Sequence, residues 1–153
     1  KGNDTLKGSE GADTLIGGEG NDVVQGNNGA DIYRFARGDG ADTFQDNGSD
    51  LATDTVLLGD GIAVEDIWLV QTGNHLVVYL LAGSEKVTLK NTLLFGADSI
   101  EKLELEDGLT LVIKDSIALI ELMSDIGAAV DGVVNYNSTQ QAQLAQLRSE
   151  LWQ

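Results

Sequence analysis

The chain has 153 residues, with 25 acidic side chains against nine basic ones and a formal charge of −16. That sign excludes nucleic acid as a partner, because phosphate binding requires the opposite charge. There is no cysteine and only one histidine, which rules out a disulfide framework and argues against zinc or copper. The length suits one domain with a modest core, and no stretch of 18 or more apolar residues reads as a membrane helix.

The first 42 residues are periodic. Asp4, Asp13, Asp22 and Asp31 recur every nine residues, each followed two residues later by an apolar one: Leu6, Leu15, Val24 and Tyr33. Each complete loop ends in a Gly-x-Asp triplet, at Gly11, Gly20, Gly29 and Gly40. Such a nonapeptide splits into a six-residue glycine-rich loop and a three-residue strand, so nine residues make half a turn of a flattened solenoid. Glycines let the loop turn several carbonyls toward one point, and the aspartate adds a carboxylate. Stacked loops then offer about six hard oxygens per gap, a set that suits Ca²⁺ better than Mg²⁺. Alternation puts the loops of Asp4, Asp22 and Asp42 on one edge and those of Asp13 and Asp31 on the other. Sites are expected between loops 4/22, 22/42 and 13/31, with a weaker fourth where Asp31 meets Asp46, Asp50 or Asp54, giving about three to four ions. The step from Asp31 to Asp42 is longer, which predicts an extended strand over residues 32–36.

These residues resemble the RTX family, the calcium-binding repeats of toxins, proteases, lipases and adhesins secreted by Gram-negative bacteria. The resemblance implies a parallel β-roll in which carbonyls of the first four loop positions and the sixth-position aspartate hold each ion. On this chain those positions are Gly8, Ser9, Glu10 and Gly11 with Asp13; Gly17, Gly18, Glu19 and Gly20 with Asp22; Gly26, Asn27, Asn28 and Gly29 with Asp31; and Arg37, Gly38, Asp39 and Gly40 with Asp42. Asp4 closes a first loop of which only half is present. Ser9, Asn27 and Arg37 replace an expected glycine; each keeps a carbonyl, but the loop folds less easily there. The chain opens mid-repeat at Lys1, which leads us to expect a fragment of a longer protein.

From Asp46 to Asp54 the sequence DNGSDLATD is an acidic turn, read either as a solvated loop or as the closure of the last calcium sites. Residues 55–114 change character. TVLL at 55–58, IWLVQ at 67–71, HLVVYLL at 75–81, KVTLKN at 86–91, KLELE at 102–106 and LTLVIK at 109–114 read as strands. Thr72, Gly73 and Asn74, and Asp107 with Gly108, are hairpin signals. An open solenoid end exposes strand edges and apolar interior, so these strands are expected to cap the roll. DTVLLGDG at 54–61 with Ile62, KVTLKN at 86–91, and Ile100 and Glu101 followed by LEDG at 105–108 resemble the haemolysin-type calcium-binding-related region that follows RTX repeats.

Beyond Lys114 the pattern turns helical. Ile113, Ile117, Ile120, Met123 and Ala128 or Val130 recur at helical spacing, with Asp115 or Ser116 as N-cap, and a turn through Gly132 and Asn135 follows. Ser138, Thr139, Gln140 and Gln141 then suggest a capping box opening an amphipathic helix with Leu144, Leu147 and Leu151 on one face. Two readings stand: both helices pack on the sheet end, or, as the resemblance implies, the tail belongs to a secretion signal read by a type I exporter.

The expected fold is therefore mainly β: a parallel β-roll or β-helix solenoid over 1–54, a β-rich cap over 55–114 and a helical tail over 115–153, all one folded unit. No nucleophile elbow, zinc-protease or phosphate-loop motif is present, His75 stands alone, Trp68 and Tyr79 read as core, and Glu104 with Glu106 reads as a water-facing pair. The expected function is not enzymatic. It is calcium-triggered folding outside the cell, serving secretion of a larger type I-secreted toxin, adhesin or hydrolase, with the module monomeric in isolation. The alternative is a recognition module for a sugar, peptide or host surface.

Overall fold

The computed structural model describes residues 1–127 and 133–153. The repeats give five short strands: β1 (Thr5–Lys7), β2 (Thr14–Ile16), β3 (Val23–Gln25), β4 (Ile32–Phe35) and β5 (Ala41–Gln45). After them come β6 (Thr55–Leu58), the hairpin β7 (Ile67–Thr72) and β8 (His75–Leu80), β9 (Lys86–Leu89), and the hairpin β10 (Lys102–Leu105) and β11 (Thr110–Val112). Helices α1 (Ile117–Ile126) and α2 (Ser138–Leu151) follow.

The nine-residue period sends alternate strands to opposite walls. One sheet has the order β1-β3-β5-β9-β8-β7 and the other β11-β10-β6-β4-β2. The pairs β1/β3, β3/β5 and β5/β9 are parallel, as are β2/β4, β4/β6 and β6/β10. The pairs β8/β9, β7/β8 and β10/β11 are antiparallel. Both sheets are therefore mixed, and the fold is mainly β with two short helices. The residues after the repeats do not form a separate lid: β6, β9 and β10 continue the parallel stacking, and only β7, β8 and β11 are joined by antiparallel pairing.

Register places one apolar side chain per coil in an inward column. Val24, Phe44 and Leu89 align in one wall, and Tyr33, Val56 and Leu103 in the other, all fully buried. The walls meet where Tyr33 stacks on Phe44 at 5.3 Å and Phe35 meets Phe44 edge-on at 6.1 Å, geometries aromatic pairs prefer.

The outer strands β7 and β11, one from each sheet at the same end of the stack, are covered differently. On the β7 side, α1 lies along the outer strand: the Leu69 amide donates to Met123 Sδ at 3.3 Å and the Gln71 amide to Ser124 Oγ at 2.8 Å. On the β11 side, Gln153 exchanges two backbone hydrogen bonds with Thr110, of 2.7 and 3.1 Å, and Trp152 is buried. The last strand of each sheet at this end, β7 and β11, is thereby covered, the usual remedy for exposed edges, whereas β1 and β2 bound the opposite end. Trp68 is fully buried, its indole N–H donating to the Gly127 carbonyl at 2.8 Å and its ring stacked on Tyr136. His75 is structural, its Nδ1 accepting the Asn91 amide at 3.0 Å.

One helix start differs from expectation, and at the other the expected residue Ser116 holds the N-cap position without a side-chain capping bond. The N-cap of α2 is Asn137, not Ser138: Asn137 Oδ1 accepts the Gln140 amide and Gln140 Oε1 the Asn137 amide, both at 2.9 Å. Asparagine completes the same reciprocal box that Ser138 suggested one residue later. At α1, Ser116 precedes the helix but turns its hydroxyl back to Val112 O at 2.7 Å, and Asp115 belongs to a preceding 3-10 turn. The expectations at Ala128, Val130 and Gly132 lie outside the described residues.

Candidate metal centre

The loops between these strands stack in two columns. Gly2 donates to Glu19 O and Gly20 to Asp39 O on one edge; Gly8 donates to Gln25 O, Gly11 to Asn28 O and Gly26 to Gln45 O on the other. The glycines of the Gly-x-Asp triplets make this approach possible. Gly20, Gly29 and Gly40 have φ of +145°, +121° and +103°, and a β-carbon on any of them would run into the backbone of the coil before, at Gly2, Gly11 and Gly20 respectively.

Each aspartate is gripped by the coil that precedes it. Asp22 Oδ1 accepts the Asp4 amide at 2.7 Å and Asp42 Oδ1 the Asp22 amide at 2.8 Å. On the other edge Asp31 Oδ1 accepts the Asp13 amide, Asp54 Oδ1 the Asp31 amide and Glu101 Oε2 the Asp54 amide, each at 2.8 Å. The result is two ladders in which one carboxylate oxygen is fixed by a backbone N–H and the other is left over. For Asp22, Asp31 and Asp42, whose residues are 1, 0 and 3 % exposed, that second oxygen is buried without a hydrogen-bond partner.

Buried polar atoms are almost always partnered, and an orphaned charged oxygen is costly. The first-position glycines explain where the orphans face: a β-carbon on Gly17 would lie 2.5 Å from Asp22 Oδ2, and one on Gly26 would meet Asp31 Oδ2 and the Tyr33 hydroxyl. Glycine there keeps open a small space lined by carboxylate oxygen and backbone. Among the described residues no group of three or more His, Cys, Asp or Glu side chains gathers into a metal cluster. A cation in these gaps would take mainly backbone carbonyls plus one or two carboxylate oxygens, a donor set that fits Ca²⁺, with its tolerance for six to eight oxygens.

Electrostatics point the same way. Burial pushes the Asp42 carboxyl up to about 6 and the Asp54 carboxyl up to about 8, and raises Asp31, Asp46, Asp39 and Glu101 as well, with neighbouring carboxylates adding to each. Backbone N–H donation opposes the rise without cancelling it. The metal-free loops thus hold carboxylates that resist losing their protons, which a divalent cation would relieve.

The remaining expected positions are less uniform. Asp4 is exposed at the open end, and Asp13 Oδ2 is taken by the Ser9 amide and hydroxyl at 2.7 and 3.1 Å. Glu19 pairs with Lys1 at the surface. Asn27 adopts φ +71° and its side chain donates to Gly8 O at 2.9 Å, while Asn28 Oδ1 accepts from Ser49. Arg37 turns its side chain to Leu81 O and Asp66, the Gly38 amide donates to Glu85, and Asp39 Oδ2 accepts the Ala36 amide. The side chains of Glu19 and Arg37 are thus engaged away from their loops, whereas that of Asp39 accepts within its own. Asp54, expected only as one option for a weaker fourth site, takes the next rung of the ladder, and Glu101, outside the expected ligand set, extends it. The available signal was the triplet Asp54, Thr55, Val56, which repeats the pattern of Asp13, Thr14, Leu15.

An oxygen-lined repeat of this kind defines a class of cation-binding module. Residues 1–33 match the family model of the RTX calcium-binding nonapeptide repeat, in four copies. No curated protein matches the chain. Residues 1–33 thus carry RTX calcium-binding repeats, and such repeats imply a calcium-binding module.

Proposed function

We propose that the chain is a conditional folding module: two walls of a parallel β-roll whose loops close around Ca²⁺ outside the cell, serving the secretion and folding of a larger type I-secreted toxin, adhesin or hydrolase. The observation that carries this reading is the set of buried carboxylate oxygens on Asp22, Asp31 and Asp42, held in place by one hydrogen bond and lacking a second partner. The ligands would be these aspartates with Asp4 and Asp13, joined by carbonyls of loops 8–11, 17–20, 26–29 and 37–40. The cation supplies the positive charge that lets stacked carboxylates ionise together; the glycines supply the approach; the ladder amides hold each carboxylate in register.

Metal binding to such loops is folding energy, because the site does not exist in the unfolded chain. With a Kd of about 10⁻⁴ M and free Ca²⁺ about tenfold higher, each ion contributes about 1.4 kcal/mol. Three such ions add about 4 kcal/mol, close to the lower end of a domain's total stability. In a compartment poor in calcium that contribution vanishes and the repeats stay extended, the state an exporter channel needs. No helix among the described residues is long and apolar enough to cross a membrane. The recognition alternative would favour an exposed aromatic patch, and the half-exposed aromatics Phe95 and Tyr136 do not build one, since Tyr136 is spent stacking on Trp68.

Far-UV circular dichroism during a calcium titration from EGTA, with magnesium as control, tests the reading. A Ca²⁺-specific gain of β signal is expected. A spectrum that is already complete in EGTA and indifferent to calcium would overturn it.

A further inference from the structure

Helix α2 brings one charged residue to its packing face. Leu144 and Arg148 are four residues apart, so they neighbour each other on the side of the helix that meets the strands. Leu144 is buried and Arg148 half-buried, its Nη2 donating to the backbone carbonyls of Ile67 at 3.0 Å and Glu65 at 3.5 Å. Its Nε is buried without a hydrogen-bond partner. Among the described residues no carboxylate pairs with this cation: Asp66 is held by Arg37 at 3.2 Å, and Glu65 is exposed to solvent. The two carbonyls take hydrogen bonds but leave the charge without a counterion, a costly arrangement for a guanidinium withdrawn from water. Burial pulls Arg148 below its ordinary value, and the acidic groups of Glu65, Tyr136 and Asp66 oppose that only in part.

Arg148 lines a cavity of ≈ 410 Å³ between α2, the 3-10 turn Val64–Asp66 and the β10–β11 hairpin, a volume in the range of small-molecule sites. Val64, Leu109, Leu144, Tyr136 and Trp152 give it apolar and aromatic walls. The aromatic walls are fixed from outside the cavity. Tyr136 stacks on the buried Trp68 with ring centroids 6.0 Å apart, and Trp152, 7 % exposed, is bridged to Leu111 of β11. The cavity is therefore preformed, with one cation set among apolar surfaces.

We propose that this cavity binds a small organic carboxylate with an apolar, aromatic-sized body, the carboxylate set against Arg148 and the body against Tyr136 and Trp152. An inorganic anion would satisfy the cation and waste the apolar walls; a plain hydrocarbon would fill the walls and leave the cation unpaired. A sugar needs more polar partners than one guanidinium and the polar lining residues Gln141 and Ser149 supply. A carboxylate is the anion whose geometry the guanidinium matches. The site lies wholly in the residues after the repeats, so it stands independently of the calcium reading and gives the later half a binding function of its own.

The test titrates 2-naphthylacetate, and separately its uncharged amide, into the full chain in calcium. Binding is followed by the indole N–H resonance of Trp152 and the methyl resonances of Leu109 and Leu144. The acid should shift all three saturably, with a midpoint below about 1 mM, and the amide should bind at least about tenfold more weakly. Arg148→Gln should bring the affinity for the acid down to that for the amide. Ala145→Leu fills the cavity from an exposed helix position without touching the guanidinium, and it should block both compounds. Should Arg148→Gln fail to fold in thermal melts, the comparison of acid with amide on the unmodified chain and the Ala145→Leu variant still decide. Equal affinity for acid and amide, shifts that survive Ala145→Leu, or no shift at about 1 mM would each overturn the proposal and leave Arg148 as a brace for the turn at 64–67.

Discussion

The repeat half and the half that follows are stacked in the same two sheets but are held by opposite means. Among the described residues, 26 form the hydrophobic core, and of these only Leu15, Val24, Tyr33, Phe35 and Phe44 come from the first 54 residues, whereas Asp22, Asp31, Asp42, Asp46 and Asp54, all buried, come from that segment. The later half buries Trp68, Leu69, Leu76, Leu80, Leu103 and Leu119 and covers its edges with α1 and the C-terminal residues. Apolar burial stabilises one half regardless of solution conditions. The other half concentrates buried negative charge, which is destabilising until something positive arrives. On the proposed reading, one continuous stack has a permanent end and a conditional end.

The contrast breaks most directly at Trp68. Trp68→Ala removes a fully buried indole and its bond to Gly127 and should cost about 3–5 kcal/mol. The urea midpoint should fall by a similar amount with calcium and with EGTA. A loss confined to one condition would mean the later half is not self-supporting.

Asp42→Asn should act with opposite signs in the two conditions. It keeps an acceptor for the Asp22 amide and removes a buried charge. In EGTA at a pH of about 8 it should therefore raise the urea midpoint. In calcium it should lower stability by about 1–3 kcal/mol, since a charged ligand is lost. The same sign in both conditions would contradict a metal-dependent carboxylate.

The pH dependence follows from the same groups. Asp42 and Asp54 are raised from 3.8 to about 6 and about 8, so the calcium-free fold binds protons that the unfolded chain has already released. Their stabilisation is full below the unfolded value and is lost as pH rises through the folded ones. In EGTA the urea midpoint should therefore decline between pH about 4 and about 8. Calcium displaces those protons, so affinity should rise over the upper part of that window and binding near neutral pH should acidify an unbuffered solution. A pH-independent affinity would sink this account.

The smallest effect is expected where the halves touch at the surface. Arg34 of β4 pairs with Glu106 after β10, both well solvated. Arg34→Ala should cost no more than about 0.2–1 kcal/mol, and the cost should shrink in high salt. A larger, salt-resistant loss in thermal melts would give this pair a structural role that its exposure does not suggest.

The repeats were legible because their chemistry is local: period, turn glycine and inward apolar residue all lie within nine residues. The strands after residue 54 were legible for a similar reason, since TVLL, KVTLKN and KLELE carry β-branched or alternating patterns. Their partners were not, because β5 to β9 and β6 to β10 are pairings across 40 residues or more, which no local pattern encodes. Glu101 escaped for that reason: it fills the aspartate position of a coil that starts 47 residues after Asp54. Asn137 escaped because serine one residue later satisfied the same capping rule. Asp50 was grouped with Asp46 and Asp54, and only the hydrogen bonds to both of its oxygens, from the Gly29 and Ala52 amides, set it apart.

The carboxylate ladder also bears on how such a chain can change over generations. Its rungs join residues 18, 20, 23 and 47 positions apart with nearly the same length. The ladder thus counts coils and not residues, and the whole β7–β8 hairpin is looped out between two strands of one stack without disturbing the ladder. Lineages of this architecture can therefore accept or lose whole excursions between coils, provided each return brings an acidic residue back beneath the amide that awaits it.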